Sequence, residues 1–181
     1  MNRNRAESRR APLTVFVTGT DTAVGKTRAA SGLLCAARLA GWRTAGLKPV
    51  ASGCESTPDG LRNEDALALL AQTTLSLGYE QINPVALQAA IAPHVAAQRE
   101  GRRITVQRLE GLCRAVIMQR ADLTVIEGAG GWDVPLNERE LYSDFVRRMN
   151  IPVVLVVGIR LGCINHAALT ARAIRADGLH L

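Results

Sequence analysis

The amino-acid sequence predicts an α/β protein, a mostly parallel sheet flanked by helices on both faces. Three observations carry this. Strand-sized apolar runs alternate with helical segments along the chain, the pattern that pairs strands in parallel through helical crossovers. Several runs, such as 15–17 and 153–157, are apolar throughout rather than at every second position, as strands covered on both faces are. The first run also passes through a glycine-bounded loop directly into a long Ala- and Leu-rich segment.

Taken in order, the polar, Arg-rich residues 1–12 read as a disordered basic leader, and 13–181 as a single domain, the default for a chain of 181 residues. A strand is expected at 14–18 and a loop at 19–25. A helix follows from Lys26 to about Ala40, stopped by Gly41. Arg43 to Leu47 reads as a second strand. The Ser-, Gly- and Pro-rich stretch 49–62 reads as a loop. Asn63 caps a helix through about Ala71, and 73–104, broken by Pro84 and Pro93, reads as short helical pieces and connections. In 105–120, Leu109, Leu112, Cys113, Val116 and Ile117 make one buried helical face. Leu123 to Ile126 is a strand ending in Glu127, followed by a sharp turn at 128–131. A helix near 141–149, a strand at 153–157 and a helix from about Ile164 to Arg175 complete the chain. An alternating pattern calls for a strand next, so the domain is expected to stop short of its C-terminal strands.

Composition narrows the partners. The net charge is +6, yet only two of the 22 basic residues are lysines, Lys26 and Lys48; the rest are arginines. Where Arg serves every surface need, two retained lysines mark places that require a compact ammonium. Aromatics make up 3% of the chain, and no basic stripe interleaves with stacking residues, so nucleic acid is not an expected partner. No apolar stretch approaches the ~20 residues that span a bilayer, and no secretory signal is visible, so no membrane partner is expected. Cys35, Cys54, Cys113 and Cys163 are widely spaced and form no CxxC. They read as free thiols of a reducing cytoplasm, with Cys35 and Cys113 in the core.

Five stretches bear chemistry. Strand, glycine loop, Gly25-Lys26-Thr27 and helix form a phosphate-binding arrangement. Lys26 is set against the β/γ-phosphates and the Thr27 hydroxyl toward Mg²⁺. The strict pattern wants glycine where Thr20 stands; the glycine, Gly19, lies one place earlier. Glu127, at the carboxyl end of a strand and before a glycine turn, suits a magnesium ligand better than a solvated loop carboxylate. Lys48, at a strand end beside Ser52, could neutralise a carboxylate, a carbamate or a transferring phosphoryl group. Asp65 fits a first-turn helix carboxylate or a second metal ligand equally well. The turn Gly162-Cys163-Ile164-Asn165 offers N–H groups to an anion, or is ordinary capping by Asn165; His166 reads as structural.

Together, GTDTAVGKT (19–27), AGLKPVASG (45–53), LRNEDALAL (61–69), VIEGAGGW (125–132) and VVGIRLGCINHA (156–167) resemble the dethiobiotin synthetase family. The match runs from about Thr14 to the end. The resemblance implies a P-loop NTPase-like fold and a cytoplasmic, homodimeric ligase of biotin synthesis. Such a ligase uses ATP and Mg²⁺ to join CO₂ to 7,8-diaminononanoate through a carbamate and a carbamic–phosphoric anhydride. It implies Lys26 and Lys48 as catalytic, and ATP binding by Ala23, Val24, Gly25, Lys26, Thr27 and Arg28 with Asp65, Glu127, Gly128, Ala129 and Gly130. Metal binding falls to Thr27, Asp65 and Glu127. Substrate binding falls to Thr22, Lys48 and Ser52, with Gly162, Cys163, Ile164 and Asn165 reaching across a dimer interface. The family's loop glutamate is Ala23 here, and its further residues, which hold the adenine contacts, are not in this sequence. The alternatives are a P-loop switch or partition-type ATPase acting through protein partners, and an inactive fragment.

Overall fold

The structure, a computed structural model, describes residues 11–181. The expected leader therefore lies outside the described residues, save for its last two. In chain order the elements begin with β1 (Leu13–Gly19), α1 (Lys26–Leu39), β2 (Thr44–Leu47), β3 (Val50–Ala51), β4 (Glu55–Thr57) and β5 (Gly60–Arg62). Next come α2 (Glu64–Leu70), α3 (Tyr79–Ile82), β6 (Val85–Ala86), α4 (Pro93–Arg99) and α5 (Val106–Ile117). Then follow β7 (Leu123–Glu127), α6 (Tyr142–Met149), β8 (Val153–Val156) and α7 (Cys163–Ala176).

Four strands form one parallel sheet in the order β2-β7-β1-β8. The chain leaves β1 toward β2 on one side and leaves β7 toward β8 on the other. The neighbours β1 and β7 thus feed crossovers that run in opposite directions, and a crevice opens beyond their carboxyl ends. Register puts Val17 opposite Glu127, so the acid that ends β7 stands at the mouth of that crevice.

Strand alternation sorts the side chains between two helical layers. On one face, α1 and α2 press so closely on β2 that a Cβ at Gly46 would lie 2.8 Å from Leu34 Cδ1 and 2.9 Å from Leu69 Cβ. On the other, the Phe16 ring meets Tyr142 and Phe145 of α6, with centroids 5.6 and 6.3 Å apart. Helix α5 packs beside α6, and Arg148 donates to Glu110 across the pair. Of the stripe expected on α5, Leu109, Cys113 and Val116 are buried, while Leu112 is exposed and Ile117 only partly covered.

Three expectations are corrected. The stretch 49–62 is not all loop: β3 pairs in parallel with the distant β6, and β4 with β5 forms a hairpin. Its composition conceals this because the partner that makes β3 a strand is non-local. Cys35 is only half-buried, since it flanks rather than faces the packed side of α1. Helix α7 begins at Cys163, with Gly162 as a left-handed N-cap and no side-chain cap bond, so Asn165 lies inside the first turn and caps nothing.

Candidate functional site

The loop between β1 and α1 is shaped by close packing. A Cβ at Gly19 would stand 2.6 Å from Val24 Cγ2 and 3.1 Å from both the Asp21 carbonyl oxygen and Lys26 Cγ. The absence of a side chain at 19 thus lets the following loop pack down on the end of β1. Thr20 instead donates its N–H to the Val156 carbonyl at 3.0 Å and extends the sheet edge. The position that the strict phosphate-loop pattern gives to glycine directly follows β1 and keeps a backbone bond to β8, so threonine fits. Gly25 is left-handed, at φ 98°, and starts α1. The first-turn N–H groups of α1 have no intrahelical acceptors and point to where an anion would sit.

Lys26 is buried and donates to the Asp21 carbonyl at 2.8 Å. Burial, aided by the charge of Lys48, pushes its ammonium below the ordinary 10.5; Glu127, Asp65 and Asp21 pull the other way. The Asp21 carboxylate takes the Thr22 N–H at 2.7 Å and pairs with Arg160, tying the loop to the segment after β8.

The carboxylates expected to hold metal converge beside this loop. The Thr27 hydroxyl lies 2.7 Å from Asp65 Oδ1 and 2.9 Å from Glu127 Oε1. With one proton, it donates to only one of them at a time. Lys48 Nζ donates to Glu127 Oε1 at 2.6 Å, Asp65 Oδ2 at 2.9 Å and the Gly128 carbonyl at 3.1 Å. Burial alone would raise the Asp65 pKa, but Lys48 and the Thr27 hydrogen bond outweigh it and hold the carboxyl below its usual value. Glu127 is fully buried, and its Oε2 has no hydrogen-bond partner. Two carboxylates and a hydroxyl are hard oxygen donors that suit Mg²⁺, which retains waters and shares itself with phosphates. No cluster of three His, Cys, Asp or Glu occurs among the described residues, so the set is not a closed protein cage. The residues fit the ion.

The placement of Lys48 and Asp65 depends on two residues that the sequence reading missed. Tyr79 Oη accepts the N–H of Asn63, the N-cap of α2, at 2.7 Å and donates to Asn83 Oδ1 at 3.1 Å. Asn83 Nδ2 donates to the Lys48 carbonyl at 2.7 Å. This buried relay fixes the start of the helix that carries Asp65 against the backbone of Lys48. Nothing in the local pattern singles out either residue, because both act through partners far along the chain.

A cleft of about 880 Å³ opens over this cluster. Of the expected residues, Thr22, Ala23, Gly25, Lys26, Thr27, Arg28, Lys48, Ser52, Asp65, Glu127, Ala129 and Gly130 line it. Asp21, Asn63, Asp133 and the stretch 90–93 also line it and were not foreseen. Val24 and Gly128 do not: Val24 packs against Gly19 and Gly158, and a Cβ on Gly128 would lie 2.7 Å from Phe16 Cζ. Gly162, Cys163, Ile164 and Asn165 are likewise not brought to the cleft within this chain. They start α7, where Ile164 is exposed.

A phosphate-accepting loop, an acid at the neighbouring strand end and a switch-point crevice define a P-loop nucleotide-using protein. Comparison with known proteins agrees: a family model described as an AAA domain matches residues 13–181. Among solved structures, the kinase domain of the Escherichia coli tyrosine kinase ETK superimposes with a TM-score of 0.55 at 14% identity, over 96% of this chain and 66% of that one. The chimerical protein CapA2B2 does so with a TM-score of 0.51 at 18% identity, over 94% of this chain and 74% of that one. At such identities these show the fold alone. Sequence relatives are far closer. The ATP-dependent dethiobiotin synthetase BioD of Cellvibrio japonicus is 62% identical over 92% of this chain and 72% of its own length. That of Marinobacter nauticus is 60% identical over 92% and 71%, and BioD 1 of Escherichia coli O157:H7 is 52% identical over 92% and 73%. The chain belongs to the ATP-dependent dethiobiotin synthetase family, and is thus an ATP-using ligase.

Proposed function

We propose that the chain makes dethiobiotin from 7,8-diaminononanoate, CO₂ and ATP, with the cleft holding both substrates side by side. The observation that carries this is the meeting of Lys26, Lys48, Thr27, Asp65 and Glu127 at one end of a single cleft, with Thr22 and Ser52 on its wall. One amine of the diamine takes up CO₂ as a carbamate. The carbamate oxygen attacks the γ-phosphorus and ADP leaves; the second amine then attacks the carbamoyl carbon and phosphate leaves. An anion here attacks an anion, so cations must gather at the reacting oxygens. Lys26 serves the phosphate side and Lys48 the carbamate side, while Thr22 and Ser52 orient the amines. Thr27, Asp65 and Glu127 would hold Mg²⁺, which supplies charge neutralisation on the phosphates. Gly25, Arg28, Ala23, Ala129 and Gly130 line the nucleotide side, and Val24 and Gly128 shape it from behind.

The 162–165 turn reads as a subsite for the substrate carboxylate supplied by the second subunit of a homodimer. Support comes from the exposed Ile159, Leu161 and Ile164, an apolar surface around α7's N-terminus. The free cysteines suit a cytoplasmic enzyme, and no helix among the described residues is long and apolar enough to cross a membrane. The test is phosphate release with and without the diamine, together with detection of dethiobiotin by mass. Hydrolysis indifferent to the diamine, and stimulated by a protein instead, would favour the switch-ATPase reading.

A further inference from the structure

We propose that Lys48 and the divalent cation exchange on the same carboxylates, so that metal loading releases the Lys48 ammonium to the substrate side of the cleft. The inference rests on the reading of Thr27, Asp65 and Glu127 as metal ligands. An ammonium has three hydrogens, and those of Lys48 are all engaged, by Glu127 Oε1, Asp65 Oδ2 and the Gly128 carbonyl. Held so, it has no donor left for a carbamate. The oxygen it grips most closely, Glu127 Oε1, is the one that also stands 2.9 Å from the Thr27 hydroxyl. Thr27 faces Glu127 through that oxygen, so a cation seated between Thr27 and Glu127 would meet Lys48 on it.

Charge decides the direction of the exchange. Asp65 and Glu127 together carry two negative charges, and Glu127 is fully buried. Lys48 supplies one positive charge and keeps the buried carboxylate from standing uncompensated. A dication satisfies both acids by itself, which leaves the Lys48 charge in excess beside that of Lys26. The flexible lysine stem carries the ammonium away from its like charges, and Lys48 already borders the cleft. The cation therefore arms the lysine before the carbamate meets the phosphate.

The chain's two lysines make the test clean. In protein labelled with ¹⁵N,¹³C-lysine, the side-chain amine spectrum holds two signals, assigned with Lys48→Arg. With ADP bound, replacing EDTA by excess Mg²⁺ should shift the Lys48 signal and speed its exchange with water. In a second arm, Mn²⁺ is titrated without nucleotide and followed by electron paramagnetic resonance. Lys48→Gln should bind it at least about tenfold more tightly than wild type, since its competitor is gone. A Lys48 signal that stays in place under Mg²⁺, or a Lys48→Gln variant no tighter for Mn²⁺, overturns the exchange. If Asp65→Asn and Glu127→Gln bind Mn²⁺ as wild type does, the metal-site reading fails and the exchange with it. Should Lys48→Gln not fold, the wild-type spectrum decides.

Discussion

Lys26 sits between two opposing demands. Its loop buries the ammonium, which lowers its pKa, yet a triphosphate needs it charged. Because the folded pKa lies below 10.5, the unfolded chain binds more protons between the folded value and 10.5, and stability rises with pH across that window. An anion beside the ammonium pulls its pKa back up, so nucleotide binding should take up protons where the pH lies between the two values, and affinity should fall as pH climbs through the free protein's folded pKa. Calorimetry in two buffers of different ionisation enthalpy should show this uptake in wild type and a smaller one in Lys26→Met. Lys26→Ala should weaken nucleotide binding itself, by about 1.5–3 kcal/mol for a lost charged hydrogen bond. Lys48→Gln should leave metal-free nucleotide binding nearly intact but cut the turnover number by more than about tenfold, because its charge acts mainly in the transition state. Equilibrium nucleotide titration alongside steady-state turnover separates the two lysines; an unchanged turnover number in Lys48→Gln would remove it from the reaction.

Among the elements, the loop from β1 to α1 depends on the fit of Gly19 against Val24. The departure at Thr20 had no account in the sequence beyond resemblance. The structure supplies a physical one, since Val24 of the loop packs onto Gly19 at the end of β1 and Thr20 still bonds to β8. Gly19→Ala should force the loop open at a cost of about 1–3 kcal/mol in stability and weaken nucleotide binding. Part of the clash is with the Val24 side chain, so Val24→Ala should restore some of both losses. The Asp21 carbonyl is backbone, 3.1 Å away, and yields less readily than a side chain, so the rescue should be incomplete. A double-mutant cycle on denaturant midpoints and nucleotide affinity measures the coupling. Independent, additive effects would show that Val24 does not set the loop.

For the molecule as a whole, Phe16 joins the site to the core. Its ring touches Trp132, Tyr142 and Phe145, and closes on Gly128 directly after Glu127. Trp132 in turn donates to Asp177 at 2.8 Å, linking the turn after β7 to the end of α7. Phe16→Ala should cost about 3–5 kcal/mol in urea unfolding, and metal and nucleotide affinities should fall with it because the strand end that carries Glu127 loses its support. Loss of stability with site affinities unchanged would mean that the core and the site are mechanically independent.

The sequence by itself determined the fold class and the chemical inventory. Apolar runs alternating with helical stripes are local signals that each segment carries alone; Gly25-Lys26-Thr27, Lys48 and Glu127 stand out by residue type and neighbours, whereas Asp65 is favoured as a metal ligand only through the family resemblance. Only the tertiary structure decided how these residues meet. Lys48 reaches Glu127 across 79 positions, and Thr27 reaches it across 100; no local period encodes such pairings. The strand β3 hidden in a loop-like stretch and the Tyr79–Asn83 relay escaped for the same reason. Strand pairing, burial and hydrogen-bond closure are set by partners distant in sequence. The sequence marked two lysines as functional, and the fold placed one of them on the two carboxylates proposed to hold a cation.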